Sequence, residues 1–297
     1  MSRVLVLVNP TAGGMRAGKL WERLRSEAES LARIDVVTPV GAQASVTAVR
    51  EAIAGGCERV VAVGGDGTVH LVAGALLEAG LGAAVTLGVV PAGTGSDLAR
   101  ALGIPREPLA ALRRALQGVP RPMDAGRCTG EAASFYFVNI ASAGIGGMVD
   151  ELVNAMPGRG TTSFLRATLQ AVRHYRPVRV SVELDGSAWY HGEILLMAVA
   201  NGTTFGKGMR FAPNAVVDDG FFDVGVVDAI EGFKLLRKLP KVYAGSHLGL
   251  KEVHFQRARS VRLTALDELP MFDVDGETYP SGPATFTILP GALRIAG

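Results

Sequence analysis

The sequence lacks the features that would place it in several large classes. Only two cysteines, Cys57 and Cys128, occur in 297 residues, with no C-x-x-C and no regular cysteine-histidine spacing, so neither a disulfide framework nor a zinc site is implied. No apolar run approaches the roughly 18 to 20 residues that cross a bilayer, although 48% of residues are hydrophobic and the mean hydropathy is +0.27. A soluble or peripheral protein is expected. Met1-Ser2-Arg3 leads straight into Val4 to Val8, too short and wrongly flanked for a secretory signal, so the expected location is the cytoplasm. A net charge of +2 leaves no footprint of a nucleic-acid binder. A G-x-G-x-x-G fingerprint is missing, since Gly93-Thr94-Gly95 is followed by Leu98 and Gly144-Ile145-Gly146 by Val149; this argues against a dinucleotide dehydrogenase. There is no G-x-S-x-G elbow for a serine hydrolase. Gly13 to Lys19 fits the first seven positions of a P-loop, but Leu20 stands where a hydroxyl would hold magnesium.

Glycine, by contrast, is abundant at 38 of 297 residues, nearly twice the average of about 7%, and the excess sits in turns between apolar runs. The chain is organised around Val60 to Thr68, where a β-branched run meets Gly64-Gly65-Asp66-Gly67-Thr68. That pattern predicts a strand buried on both faces, then a turn whose backbone comes close to a ligand and a helix starting near Thr68. Turn amides at a helix N-terminus form an anion-binding concavity, and a phosphate is the expected guest. On the neighbouring predicted strand, Val85 to Val90, a second turn, Pro91 to Asp97, repeats the logic. Ser96 and Asp97 there also suit helix capping ahead of Leu98.

Around these turns, predicted strands Arg3 to Asn9 and Ile34 to Val37 alternate with helices marked by Leu20, Trp21, Leu24, Ala28 and Leu31 and by Val46, Val49 and Ile53. Such alternation predicts a doubly wound parallel sheet whose βα loops, at Asn9, Thr38, Gly64 and Gly93, converge on one crevice. From about Met123 the pattern changes to long strand-like runs at Phe135 to Ser142, Val178 to Leu184, Glu193 to Ala200, Phe221 to Val227, Val253 to Ala265 and Thr285 to Leu289. With helices expected only at about Thr161 to His174 and Glu231 to Ala244, this half reads as a mainly antiparallel, sandwich-like β domain. The predicted division is an α/β nucleotide-binding domain over 1–122 and a β domain over 123–297, whose last strand is able to return to the first.

Gly64 to Thr68, the Pro91 to Ala99 turn, Asn9-Pro10, Ala212-Pro213 through Asp219-Gly220-Phe221, Gly245-Ser246-His247 and Asp275-Gly276-Glu277 appear in an order and spacing that resembles the diacylglycerol and sphingosine kinase catalytic-domain family. The likeness runs nearly the whole chain and is strongest to soluble bacterial diacylglycerol kinases and related lipid kinases. The glycine-aspartate turn alone is shared with NAD kinases and phosphofructokinases. One departure is Ser96, where the family usually has Asn.

The resemblance implies ATP bound through Asn9, Pro10, Thr11, Ala12, Gly13, Thr38, Gly64, Gly65, Asp66, Gly67, Thr68, Val69, His70, Gly93 and Thr94. Asp66 and Asp97 would repel phosphate unless Mg2+ intervenes. Glu277 is implied as general base, projecting into a cleft between the domains and accepting the proton of a lipid hydroxyl that attacks the γ-phosphate. Asp219, with the carbonyls of Val216 and Phe221, is implied as a structural magnesium site. The expected function is an ATP- and Mg2+-dependent lipid kinase acting on diacylglycerol or a related lipid, peripheral at the inner membrane face. The alternatives are a kinase for a soluble acceptor such as NAD and a non-catalytic nucleotide sensor. Two segments are candidates for membrane contact: Phe233, Leu235, Leu236, Leu239 and Val242 among Lys234, Arg237, Lys238 and Lys241; and Leu165, Leu169 and Val172 with Arg166 and Arg173. Pro240 is expected to interrupt the first as a long interfacial helix. A homodimer is compatible with the sequence.

Overall fold

Alternating valines and leucines become strands because both faces of each strand are covered. The computed structural model of the chain describes residues 3–132, 134–156, 161–230 and 232–297. The chain divides into two compact units, residues 1–125 with 290–297 and residues 126–289.

In the first unit, β1 (Val4–Val8), α1 (Ala12–Leu31), β2 (Ile34–Val37), α2 (Ala42–Ala54), β3 (Arg59–Gly64), α3 (Asp66–Glu78), β4 (Thr86–Pro91), α4 (Asp97–Ala101) and α5 (Pro108–Gln117) follow in order. The strands pair in parallel as β2-β1-β3-β4. Val4, Val6, Val8, Val61, Val63 and Val90 bury one face under Trp21, Leu24 and Ala28 of α1 and Leu112, Ala115 and Leu116 of α5. Leu5, Leu7, Val60 and Ala62, one residue out of phase, are equally buried on the face covered by α2 and α3. Helix α3 begins at Asp66, two residues before the predicted start. Pro108 opens α5, and the Glu107 carboxylate accepts from the N–H groups of Leu109 and Ala110 at 2.9 and 2.5 Å, a side-chain cap.

The second unit begins partway along β5 (Pro120–Gly130), continues through β6 (Ser134–Phe137), β7 (Ile140–Gly144), α6 (Ile145–Ala155), α7 (Thr161–His174), β8 (Val178–Leu184), β9 (Ser187–Ala200), β10 (Phe222–Asp228), α8 (Gly232–Ala244), β11 (Val253–Ala258), β12 (Ser260–Ala265), β13 (Phe272–Val274) and β14 (Glu277–Tyr279), and ends partway along β15 (Ala284–Ala296). Within it the pairs β5–β6, β7–β9, β7–β13, β8–β9, β8–β12, β9–β10, β10–β11, β12–β15 and β13–β14 are antiparallel. The long β9 pairs with β8 from Ser187 to Ile194, while Leu196 to Ala200 runs between β7 and β10, so one strand joins different stretches of a continuous sheet around a core that includes Phe137, Phe222, Phe272 and Phe286. The end of β15 pairs in parallel with β4 through Arg294 and Ile295, and Arg114 Nε donates to Ala296 O at 3.1 Å.

Some predicted runs divide differently. The Phe135 to Ser142 run splits into β6 and β7 at Val138-Asn139, and Val253 to Ala265 splits into β11 and β12 at Arg259. Helix α6 was not expected; its first turn holds Gly146 and Gly147, residues of low helix propensity. Pro240 lies inside α8, which continues to Ala244; the expectation that it would interrupt the helix is corrected. Glu231 and the side chains of Leu165, Phe233 and Leu236 lie outside the described residues.

Candidate active site

Two turns of the first unit face each other at the C-terminal ends of β3 and β4. A Cβ built on Gly93 would lie 2.5 Å from Gly65 Cα, and one on Gly65 would lie 3.2 Å from Gly93 Cα. The contact is backbone on backbone, so a side chain at position 93 would drive the turns apart. At Gly64 a Cβ would overlap the side chain of Thr68. The missing atom leaves room for Thr68, which is 4% exposed, to accept from Asn9 Nδ2 at 3.1 Å.

Asn9 follows β1, and its Oδ1 accepts from Thr11 N–H at 3.2 Å and Thr11 Oγ1–H at 2.9 Å. This side-chain turn starts the loop into α1, where Gly13, Gly14 and Met15 all have positive φ, of 62°, 69° and 69°. A Cβ on Gly13 would collide with the carbonyl of Ala92. The loops after β1, β3 and β4 therefore touch one another, bringing together Asn9, Thr11, Gly13, Gly64, Gly65, Thr68 and Gly93. Ser96, like Met15, is a non-glycine residue in the left-handed region, with φ of 53°, and its hydroxyl makes no cap bond to α4. The expected Ser96 cap is thus replaced by Asp66, whose Oδ1 accepts from Leu98 N–H at 3.2 Å. Asp97 is buried and paired with Arg100 at 2.6 Å. Both carboxylates beside the turns already have a partner within the unit, a feature that sequence spacing did not show. Val69 and His70 are buried in α3, Thr94 is exposed in the second turn, and Thr38 is exposed just after β2, the neighbour of β1.

In the second unit, β13 and β14 form a hairpin that pairs Val274 with Glu277. Asp275 and Gly276 occupy its two-residue turn with φ of 53° and 87°, the left-handed pair for which Asp-Gly is suited; that local signal was available in the sequence. Glu277 is exposed. Asp275 is buried, and its carboxylate accepts from the N–H groups of Val138, Asn139 and Ile140 at 2.9, 2.9 and 3.0 Å. It anchors the break between β6 and β7, a role no sequence pattern revealed.

Asp219 Oδ1 accepts from Phe221 N–H at 3.0 Å, and Oδ2 is ion-paired with Arg257. The guanidinium groups of Arg257 and Arg259 both lie 4.6 Å from the Phe221 ring centroid. Burial pushes the nearby Asp223 carboxyl above the usual range, with Asp219 adding to the shift and Arg257 opposing it. Among the described residues no group of three or more His, Cys, Asp or Glu side chains is arranged to hold a metal ion. The Asp219 carboxylate is of a type that suits a hard cation, and an ion there would have to share it with Arg257.

Beside α7 and α8 lies a pocket of about 320 Å3 lined by Val172, Tyr175, Pro177, Leu195, Ala229, Ile230 and Leu235. On α8, Lys234, Arg237 and Lys241 are exposed, and Lys238 pairs with Glu252 at 2.6 Å. Among the described residues no helix is long and apolar enough to cross a membrane.

Comparison with known proteins gives a consistent result. Residues 3–128 match the diacylglycerol kinase catalytic domain, and residues 139–297 match the YegS C-terminal NAD kinase beta sandwich-like domain. The chain is 30% identical to a diacylglycerol kinase of Bacillus subtilis (strain 168), over 97% of this chain and 94% of that one. It is 33% identical to the Xanthomonas oryzae pv. oryzae (strain MAFF 311018) protein named "Probable lipid kinase YegS-like", over 83% of this chain and 81% of that one. A crystal structure of a diacylglycerol kinase from Bacillus anthracis str. Sterne superposes with a TM-score of 0.76 at 21% identity, covering 99% of this chain and 96% of the other, which establishes the shared fold. With both domain types matched in sequence order, this chain belongs to the diacylglycerol kinase and YegS-type lipid kinase family.

Proposed function

We propose that the protein transfers the γ-phosphate of ATP, with Mg2+, to the hydroxyl of diacylglycerol or a related lipid at the inner face of the membrane. The observation that carries this reading is the meeting of three glycine-lined loops at the ends of β1, β3 and β4, where the positive end of α3 adds its dipole. The triphosphate would lie along these loops, with the Thr68 and Thr94 hydroxyls and loop amides as donors. Magnesium, when bound, supplies neutralisation of phosphate charge. Asp66 and Asp97 are the carboxylates beside the turns, while Asp219 with the carbonyls of Val216 and Phe221 offers oxygen ligands for a second ion. Glu277, exposed and fixed at the start of β14, accepts the proton of the attacking hydroxyl. The apolar pocket beside α7 and α8 and the exposed cations of α8 suit a greasy substrate in an anionic surface.

Labelled ATP offered with diacylglycerol, phosphatidylglycerol, sphingosine, ceramide and NAD tests the reading directly. Label in a lipid product supports it; label in NAD alone would assign a soluble acceptor, and no transfer to any acceptor would leave a nucleotide-binding protein.

A further inference from the structure

Asp275 precedes Glu277 by two residues and uses both of its carboxylate oxygens. Oδ2 accepts from Val138 N–H at 2.9 Å, and Oδ1 accepts from the N–H groups of Asn139 and Ile140 at 2.9 and 3.0 Å. Its own N–H donates to Ile140 O at 3.0 Å. That bond extends the β7–β13 pairing, Asp273 with Ser142 and Val274 with Ala141, one residue into the hairpin turn. A two-residue turn with positive φ at both positions takes Asn-Gly as readily as Asp-Gly, so the turn alone does not require a carboxylate. Donors on both oxygens do, because an amide side chain has a single acceptor oxygen and would aim its NH2 at one of these N–H groups.

The backbone that Asp275 grips is held in turn by the loop 201–204. Asn139 is 4% exposed and Asn201 is fully buried. Asn139 O accepts from the N–H groups of Asn201 and Gly202 at 2.8 and 3.0 Å. Asn139 Nδ2 donates to Thr204 O at 2.8 Å, and Asn201 Nδ2 donates to Val138 O at 2.9 Å. The break between β6 and β7 thus gives its N–H groups to one carboxylate and its carbonyls to the next loop. Leaving any of these buried groups without a partner is costly, so the frame resists displacement. Glu277 stands at its edge, exposed and paired with the buried Val274.

We infer that Asp275 is the positioning residue for Glu277: it fixes the hairpin turn to the Val138–Ile140 backbone, which Asn139 and Asn201 keep in place. The consequence for transfer rests on the function proposed above; the hydrogen-bonded frame does not. A general base has to stand within hydrogen-bond reach of the hydroxyl it deprotonates, and a misplacement of about 1 Å costs up to about a hundredfold in rate. The aim of an exposed side chain comes chiefly from the backbone that carries it.

The test compares phosphate transfer per folded enzyme in the wild type, Asp275→Asn, Glu277→Gln and the double variant. Asp275→Asn keeps the turn signal but turns an NH2 toward a backbone N–H, and should lower kcat about tenfold or more with the KM for ATP unchanged. In the Glu277→Gln background the same substitution should change the rate by less than about twofold, since the group it positions is gone. An equal loss in both backgrounds would overturn the positioning role, because a general distortion acts whatever residue 277 is. Asn139→Ala removes the bond to Thr204 and leaves those to Asp275; it should show the same pattern at smaller amplitude, and carries the test if Asp275→Asn fails to fold. Hydrogen exchange reads the frame without activity: Asp275→Asn should speed exchange at Val138, Asn139, Ile140 and Glu277 together. Faster exchange at the first three with Glu277 unchanged would also overturn the proposal. Undiminished transfer by Glu277→Gln would remove the general base and with it the catalytic half of the inference, while exchange still decides whether Asp275 holds the turn.

Discussion

Asp66 and Leu98 join the two glycine turns: the carboxylate of the first caps the helix that follows the second, Oδ1 accepting from the backbone N–H at 3.2 Å. Helix α4 is only five residues long and has no cap from Ser96, so its start depends on a residue from the neighbouring strand's turn. Replacing Asp66 by Ala should cost about 1 kcal/mol of stability, the usual worth of a lost cap. It should also weaken ATP binding, whereas Asp66→Asn, which retains an acceptor, should recover most of the stability. Thermal melts and an ATP titration read the two effects separately.

Gly93→Ala introduces a methyl against Gly65 Cα that no rotamer can move away. Stability should fall by roughly 1 to 3 kcal/mol, and ATP affinity should fall with it. Gly80→Ala is the control. That position also has positive φ, 68°, but nothing within 4 Å of the added Cβ, so it should lose about 1 kcal/mol through backbone strain alone and bind ATP as the wild type does.

Glu277→Gln keeps the shape of an exposed side chain on β14. Folding and ATP binding should persist, while the rate of lipid phosphorylation should drop by about 10²- to 10⁴-fold, the usual worth of a general base. Undiminished turnover would remove Glu277 from the reaction.

Asp275→Ala leaves three buried N–H groups, those of Val138, Asn139 and Ile140, without their acceptor. Bonds to a charged group are worth about 1.5 to 3 kcal/mol each and are not additive, so a loss of about 3 kcal/mol or more is expected in a denaturant melt. A variant as stable as the wild type would contradict the anchoring role.

A magnesium ion bound at Asp219, as proposed, would compete with Arg257 for one carboxylate. Arg257→Met should therefore shift the magnesium dependence of the melting temperature to lower concentration, by up to about fivefold, since a partly exposed pair is worth at most about 1 kcal/mol. Asp219→Ala should abolish that dependence. An identical magnesium response in all three proteins would place the ion elsewhere.

The sequence alone determined what depends on neighbours along the chain. Alternating apolar residues and glycine breaks fixed the βα units of the first half and the change to antiparallel strands in the second, because periodicity and turn chemistry are short-range. The glycine-aspartate turns could be recognised for the same reason, each being contained in about nine residues. Tertiary structure decided who partners the charged groups. Asp66 meets Leu98 across 32 residues, Asp219 meets Arg257 across 38 and Asp275 meets Ile140 across 135. Such pairings follow from strand order and burial, which bring distant segments together irrespective of local pattern. The run Gly144-Ile145-Gly146-Gly147 shows the limit most directly: glycines have low helix propensity, yet close packing on Ser142 and Met271 requires Gly146 and Gly147 in the first turn of α6.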